Sequence, residues 1–509
     1  MSRQQLRAVV HNQTGADDDT SSILAAVNAA ERPDPHALQP GIPLCVDLDG
    51  TLIRSDLLVE SALGLLRRNP LFLLQFGLWL LRGKAHLKRE IAQRTSIDVA
   101  TLPYEPRVLD WLRSETGGRL RVLCTASDHK FADAVAAHVG GFDEVLASDG
   151  VRNLSGRNKA DVLGERFGER GFDYAGNEAR DLHVWSRARR AIVVNAPHGL
   201  AQRAGKVSEV ERVFERGGKP WRAWLRALRL HQWLKNLLVF LPLLTAHLVL
   251  APDALLHSTL AFFAFCLCAS GVYLLNDLLD LDADRQHPRK RLRPFAAGTL
   301  SLGAGLVVAP LLTLAAFVLA LTISKLFAVA LAAYYALTLA YSFALKRIAM
   351  LDTVVLAGLY TIRIIAGTLA LRIGVSFWLL AFSMFLFLSL AMIKRYTELR
   401  ALLRNGDSRS AGRGYAVDDL PLVQSLGGAS GYLAVLVLAL YINSTASELL
   451  YRHPAVLWLL CPLLLYWISR AWLIAHRGDM HDDPVVFAVS DRTSRLVLAL
   501  SVAIVIGAI

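Results

Sequence analysis

The chain has 509 residues, 54% of them hydrophobic, with 55 Lys or Arg against 43 Asp or Glu and a formal charge of +12. With a mean hydropathy of +0.38, a single soluble core of this length is excluded. The positive balance comes without a nucleic-acid motif or a basic stripe with interleaved aromatics, so no nucleic-acid partner is expected. Cys45, Cys124, Cys266, Cys268 and Cys461 are scattered without zinc spacing or a secreted disulfide framework.

Residues 1–38 have no apolar core, do not read as a signal peptide and are expected to form a flexible lead-in. Residues 39–205 read as a soluble α/β domain. LCVDLDGTLIRSD is a short apolar strand ending in Asp47 and Asp49. Two carboxylates at i and i+2 just past a parallel strand can bind Mg²⁺ together while one attacks phosphorus, and Gly50 permits the turn that exposes them. RLRVLCTASD is a second strand carrying Thr125, a hydroxyl able to hold a phosphoryl oxygen. GRNKADVL offers Lys159 as an anion partner, and FDYAGNEARDLHVW puts Asp181 after a third strand. Residues 52–118 read as helical and form a candidate cap. Within them, PLFLLQFGLWLL (70–81) is too short for a span and is expected to pack in the cap or lie on a bilayer surface.

In this order the four segments resemble the motifs of the haloacid dehalogenase-like phosphatases. The resemblance implies a Rossmann-like α/β fold with a helical cap, Asp47 as nucleophile, Asp49 as acid/base, Thr125 and Lys159 on the phosphoryl group, and Mg²⁺ held by Asp47, Asp49 and Asp181. The fourth motif departs from the family's GDxxxD: here it is GNEARD, and Asn177 in place of an acid weakens the expected metal site.

Residues 206–230 are charged, then amphipathic with Trp221 and Trp224, and read as a linker ending along a membrane interface. Residues 231–509 read as an all-α polytopic membrane domain. Nine apolar runs are expected to span, near 236–250, 255–275, 301–322, 325–341, 351–371, 376–393, 429–447, 454–472 and 493–509. The loops starting near 276, 342, 394 and 470 carry 17 Lys or Arg, while the opposite loops carry Lys325, Arg372 and Arg452. That asymmetry predicts an integral membrane protein of a bacterial inner membrane, with the soluble domain and charged loops cytoplasmic.

The most informative loop is NDLLDLDADRQHPRKRLRPFAAG, 276–298. On a helix, Asp277, Asp280 and Asp284 fall within about 60° of one another, Asn276 borders them, and Asp282 points away. Like charges so placed repel unless a cation joins them, and Mg²⁺ bridging a phosphate supplies one. Arg289, Lys290 and Arg293 follow and can clasp the anion. YSFALKRIAMLD adds Tyr341, Lys346 and Asp352, and Arg363 lies deeper in the following span, where a charge must be paired or line a polar cavity. The longest inner loop ends in Tyr415, Asp418 and Asp419, a second acidic cluster, with Tyr415 and Asp419 neighbours if that segment is helical. Lys235 precedes the first span.

NDxxDxxxD in a basic loop, with a second acidic loop later in the chain, resembles the UbiA superfamily of intramembrane prenyltransferases. LRLHQWLKN, HPRKRLRPFAAG, YSFALKR and GRGYAVDDLPL look most like its decaprenyl-phosphate phosphoribosyltransferase branch. The resemblance implies Mg²⁺ and a diphosphate held by Asn276, Asp277, Asp280, Asp284, Asp418 and Asp419. Substrate contacts would come from Lys235, Arg289, Lys290, Arg293, Tyr341, Lys346, Arg363 and Tyr415. The second motif departs, with YAVDD in place of a regular DxxxD. The partners implied are a polyprenyl phosphate or isoprenoid diphosphate lipid and a diphosphate-bearing donor. Phosphoribosyl transfer to a polyprenyl phosphate, followed by removal of the 5-phosphate in the soluble domain, is the reading that makes the fusion coherent. Prenyl transfer to an aromatic or other acceptor is the second, and transport of anionic substrates with a regulatory soluble domain the third.

Overall fold

The computed structural model describes residues 41–115, 118–406, 413–480 and 483–509, so the expected lead-in lies outside the described residues. The chain divides into two compact units, one ending at Gly217 and the other beginning at Gly218.

The first unit is built on six parallel strands: β1 Leu44–Val46, β2 Arg121–Asp128, β3 Glu144–Ser148, β4 Asp173–Gly176, β5 Arg190–Val194 and β6 Glu209–Phe214. Their order is β3-β2-β1-β4-β5-β6. The residues of β1 and β5 are buried throughout, as expected of central strands covered by helices on both faces. The strand order turns at β1, which pairs with β2 on one side and β4 on the other. Crevices at the carboxyl ends of such strands are where doubly wound sheets bind ligands. Four helices separate β1 from β2: α1 Leu57–Arg68, α2 Phe72–Leu81, α3 Lys84–Arg94 and α4 Pro106–Ser114. They form the expected helical segment, and α1 starts where the Asp56 carboxylate accepts from the Val59 N–H at 3.0 Å. Two further helices, α5 His129–Val139 and α6 Arg157–Phe167, follow β2 and β3. The sheet also runs past residue 205, because the charged segment expected as linker supplies β6, paired along β5.

The second unit is helical: α7 Pro220–Ala227, α8 Pro252–Leu279, α9 Leu281–Gln286, α10 Leu302–Ile323, α11 Lys325–Phe343, α12 Leu351–Leu371, α13 Phe377–Asn405, α14 Leu420–Ile442, α15 Leu460–Arg477 and α16 Arg492–Ala508. Among the described residues, seven helices are long and apolar enough to cross a membrane, not the nine expected. The run expected at 236–250 is divided between a 3-10 helix, Leu230–Phe240, and the five-residue helix Leu241–Thr245. Pro242 withholds an N–H there, and the turn presses on α12 so closely that a Cβ on Gly367 would lie 2.3 Å from the Val239 carbonyl oxygen. The last run, α16, has 17 residues, roughly 26 Å of helix against a hydrocarbon core of about 30 Å.

Leu306, Val307, Leu311, Leu314, Val318 and Leu321 leave α10 largely exposed, the surface of a helix that faces lipid. By contrast, α8 and α12 are the most buried of the seven. They carry Asp277, Asp352 and Arg363, three of the buried charges of this unit.

Candidate active sites

In the soluble unit, Asp47 sits one residue beyond β1, its N–H donating to the Ala175 carbonyl at 3.0 Å. This carries the β1–β4 ladder up to the turn. Gly50 then takes φ +78°, and a Cβ there would meet the Asn177 amide nitrogen at 2.0 Å. Both the left-handed backbone and the close approach demand glycine. Lys159 reaches in from α6 and donates to Asp47 Oδ1 at 2.7 Å, to the Cys124 carbonyl at 3.1 Å and to the Tyr174 hydroxyl at 2.9 Å. Tyr174 in turn donates to Asp181 Oδ1 at 3.1 Å. Asp49 accepts from the Ser127 hydroxyl at 2.6 Å and from the Leu57 N–H at 2.9 Å. Thr125 is fully buried, and its Oγ1 accepts from the Ser127 N–H at 3.0 Å.

Asp47, Asp49, Thr125 and Lys159 therefore gather at the carboxyl edge of the sheet. Asp181 is tied to them through Tyr174, but its Oδ2 accepts from the N–H groups of Asn177 and Glu178, both at 2.9 Å. Asn177 stands where the fourth motif would place an acid, accepting from Thr51 Oγ1 at 3.3 Å. Burial is the largest influence on Asp47 and Asp49 and raises both above the ordinary carboxylate range. Lys159 opposes the rise at Asp47; Asp56 adds to it at Asp49. Sequence reasoning missed Ser127, Tyr174 and Lys88, whose Nζ donates to the Ala126 carbonyl at 2.6 Å and to Asn153 Oδ1 at 2.8 Å.

In the second unit the acidic stretch breaks at Asp280, which ends α8 and begins α9. The backbone bonds from Asp280 N–H to Asn276 and from Asp284 N–H to Asp280 continue through the break. Asp277 and Asp284 converge on one guanidinium: Arg293 Nη1 donates to them at 3.2 and 2.6 Å. Arg229 reaches Asp277 at 2.5 Å and lies 4.9 Å over the Tyr273 ring. Asn276 donates to Ser342 Oγ at 3.0 Å, linking this set to the last turn of α11, beside Tyr341. Asp282, Arg289 and Lys290 are exposed, while Lys346 is half-buried in the turn Leu345–Arg347.

The second acidic cluster is not joined to the first by any hydrogen bond or ion pair among the described residues. Asp418 is exposed, and Asp419 turns its carboxylate onto the Ala416 N–H at 2.9 Å. Tyr415 and Asp419 do not form the helical pair, because Ala416 is extended and the following turn is 3-10. Tyr415 instead donates to Asp352 Oδ1 at 2.6 Å and accepts from the Met350 N–H at 2.8 Å. Asp352 is fully buried and paired with Arg395 at 2.6 Å; Arg395 also donates to the Tyr341 hydroxyl at 3.5 Å and pairs with Glu398, which Arg413 meets at 3.1 Å.

Among the described residues Arg363 has no carboxylate partner. It donates to Asn236 Oδ1 at 2.9 Å, to the Tyr334 hydroxyl at 3.0 Å and to the Leu359 carbonyl, between the Tyr334 and Tyr360 rings. Lys235 pairs with Asp483 and lies 5.9 Å from the Tyr360 ring centre. Lys394 is half-buried within electrostatic range of Lys235, Glu398, Asp483 and Arg395. Lys394, Arg395 and Asp483 were missed by sequence reasoning, since nothing in the spacing ties the adjacent Lys394 and Arg395 to Asp483.

Among the described residues no three His, Cys, Asp or Glu side chains converge on one metal position. Mg²⁺ does not require that: it keeps waters and takes one or two carboxylates with substrate phosphate oxygens. The pairs Asp47/Asp49 and Asp277/Asp284 are oxygen-only donors of that kind, and both fit the ion.

Seven apolar helices around a charged interior, joined to a parallel α/β unit, define an integral membrane protein with a separate parallel-sheet α/β domain. The description of the UbiA prenyltransferase family matches residues 239–494. The chain belongs to that family. It is 38% identical over 463 residues to protein y4nM of Sinorhizobium fredii, covering 90% of this chain and 89% of that one. Over 186 residues it is 40% identical to a decaprenyl-phosphate phosphoribosyltransferase of Mycolicibacterium smegmatis, covering 36% of this chain and 58% of that one. Among solved structures it is similar to a UbiA homologue from Archaeoglobus fulgidus bound to GPP and Mg²⁺, with 16% identity, TM-score 0.44, and coverage of 56% of this chain and 99% of that one.

Proposed function

We propose that the membrane unit transfers 5-phosphoribosyl from phosphoribosyl pyrophosphate to a polyprenyl phosphate, releasing pyrophosphate, and that the soluble unit removes the 5-phosphate from the product. The observation that carries this reading is the number of interior cations beyond those the carboxylates of the first motif use. Arg229 and Arg293 meet Asp277 and Asp284. Arg363 and Lys394 sit apart from that pair, and among the described residues Arg363 is held by the neutral groups of Asn236 and Tyr334 while Lys394 lies within electrostatic range of Glu398 and Asp483. A diphosphate alone is served by the first set. A donor and an acceptor that both carry phosphate call for the second, whereas an aromatic acceptor leaves it without a role.

A lipid phosphate oxygen attacks the anomeric carbon as the bond to the pyrophosphate oxygen breaks. Mg²⁺, when bound, neutralises charge growing on the leaving group. Asp277 and Asp284 would hold that ion, while Arg229 and Arg293 turn from the carboxylates to the diphosphate. Tyr273, Tyr334 and Tyr360 line the arginine-rich interior and exclude bulk water from the cation-like carbon. In the soluble unit, Asp47 would attack the 5-phosphate while Asp49 protonates the departing ribose oxygen. A water deprotonated by Asp49 would then cleave the aspartyl phosphate to release inorganic phosphate, with Lys159 and Thr125 on the phosphoryl oxygens.

Detergent-solubilised protein given both substrates tests the transferase directly. Asp277→Asn and Asp284→Asn should lower pyrophosphate release by about 10³-fold or more. Full activity in either variant would remove the metal seat from this position.

A further inference from the structure

No residue of α2 is buried. Around its axis Leu71, Leu74, Leu78 and Leu81 fall in a sector of about 80°, and they are 64%, 72%, 65% and 85% exposed. Leu73 and Leu80, on the far side, are 65% and 49% exposed, and the sector between is filled by aromatic rings. Phe72 and Phe76 pack against Trp79 with ring centres 6.1 and 5.8 Å apart, and the Arg94 guanidinium covers Trp79 at 4.9 Å. Exposed cations frame the leucine face, with Arg67 and Arg68 before the helix and Arg82 and Lys84 after it. Ten residues give roughly 15 Å of helix, half of what a span needs. An apolar face with a cationic rim suits a helix lying in the headgroup region. The same chain carries seven membrane-crossing helices after Gly217, so a bilayer is always within reach of the tether.

We propose that α2 is a monotopic anchor, its leucine face seated at the headgroup–acyl boundary of an anionic bilayer and Arg67, Arg68, Arg82 and Lys84 on lipid phosphates. Charge selects this occupant over a second copy of the chain, because two such faces would bring like-charged rims together. The phosphatase reading, if granted, gains a substrate class from it. The cap that carries α2 touches the catalytic carboxylates through the Leu57 N–H on Asp49, and α3 directly after α2 supplies Lys88 beside Thr125–Ser127. The phosphate monoester this site takes is then one resident in the membrane.

All five native cysteines are buried, so Leu78→Cys accepts a polarity-sensitive dye selectively in the full-length protein. With one copy per nanodisc of phosphatidylcholine and phosphatidylglycerol, emission should shift to the blue and be quenched by nitroxides placed shallowly on the acyl chains. Adding Leu74→Glu and Leu81→Glu, both at exposed positions, should reduce the quenching several-fold. Water-like emission without lipid quenching overturns the anchor. Shielding that arises only with two copies per disc, insensitive to the lipid nitroxide, also overturns it, in favour of self-association. Hydrolysis of p-nitrophenyl phosphate in detergent is read separately. A chain that inserts yet hydrolyses nothing sinks the phosphatase reading and leaves the anchor standing.

Discussion

At Asp49, burial and the neighbouring Asp56 oppose ionisation, and only the Ser127 hydroxyl and the Leu57 N–H compensate. A carboxyl raised above its unfolded pKa costs stability that is absent below the unfolded value, near 4, and grows as pH climbs through the folded value. Asp49→Asn should therefore match the parent at pH 4 and be more stable by about 1–2 kcal/mol above neutrality without metal, measured by chemical denaturation of the full chain. Greater stability of the parent at pH 8 would contradict the assignment. Glu105 runs the opposite way. Burial pushes its pKa up, yet hydrogen bonds from Arg107, Arg54 and Asn195 win and hold it well below the usual carboxylate range. Its stabilisation is present above the unfolded pKa and lost as pH falls through the folded one. Glu105→Gln should cost about 2 kcal/mol at pH 7, and the difference should shrink in strong acid. The pairing of Asp47 with Asp49 was legible in the sequence because two carboxylates at i and i+2 after one strand are a local feature. Ser127 and Lys88 were not, because only the fold carries β2 and α3 to them.

At the scale of elements, Asp352 joins three of them: it begins α12, meets Arg395 of α13, and accepts from Tyr415 in the segment before α14. Removing its charge takes from the buried Arg395 guanidinium its fully buried counter-ion and leaves only the half-buried Glu398. Asp352→Asn should destabilise the membrane unit by about 3–5 kcal/mol, against about 1–2 for Tyr415→Phe, read as loss of thermal stability in detergent. Near-equal losses would mean the ion pair is not the stronger tie. Here too the limits of sequence reading are physical. Tyr415 and Asp419 have helical spacing, but Ala416 is extended, so the pair never forms. The strand Glu209–Phe214 reads as linker because its charged residues suit the edge of a sheet, where one side faces water. The 236–250 run has a span's composition, yet local 3-10 geometry and Pro242 break it.

For the whole molecule, apolar composition and loop charge made the polytopic half legible, and four ordered motifs did the same for the α/β half. Interior pairing was not legible. Arg363 with Asn236, and Lys235 with Asp483, join residues 127 and 248 positions apart by their numbers, and no period connects them. Covalent fusion raises the effective concentration of one unit's product at the other without any new contact. The proposed sequence of transfer and dephosphorylation is consecutive and separable. Its most direct test gives the purified full-length protein phosphoribosyl pyrophosphate and a polyprenyl phosphate with Mg²⁺, and weighs the lipid by mass spectrometry. The parent should yield a lipid-linked ribose lacking its 5-phosphate, Asp47→Asn should accumulate the phosphorylated form, and Asp284→Asn should leave the lipid unchanged. Unchanged lipid in the parent, with prenylated product formed from an allylic diphosphate and an aromatic acceptor, would contradict it.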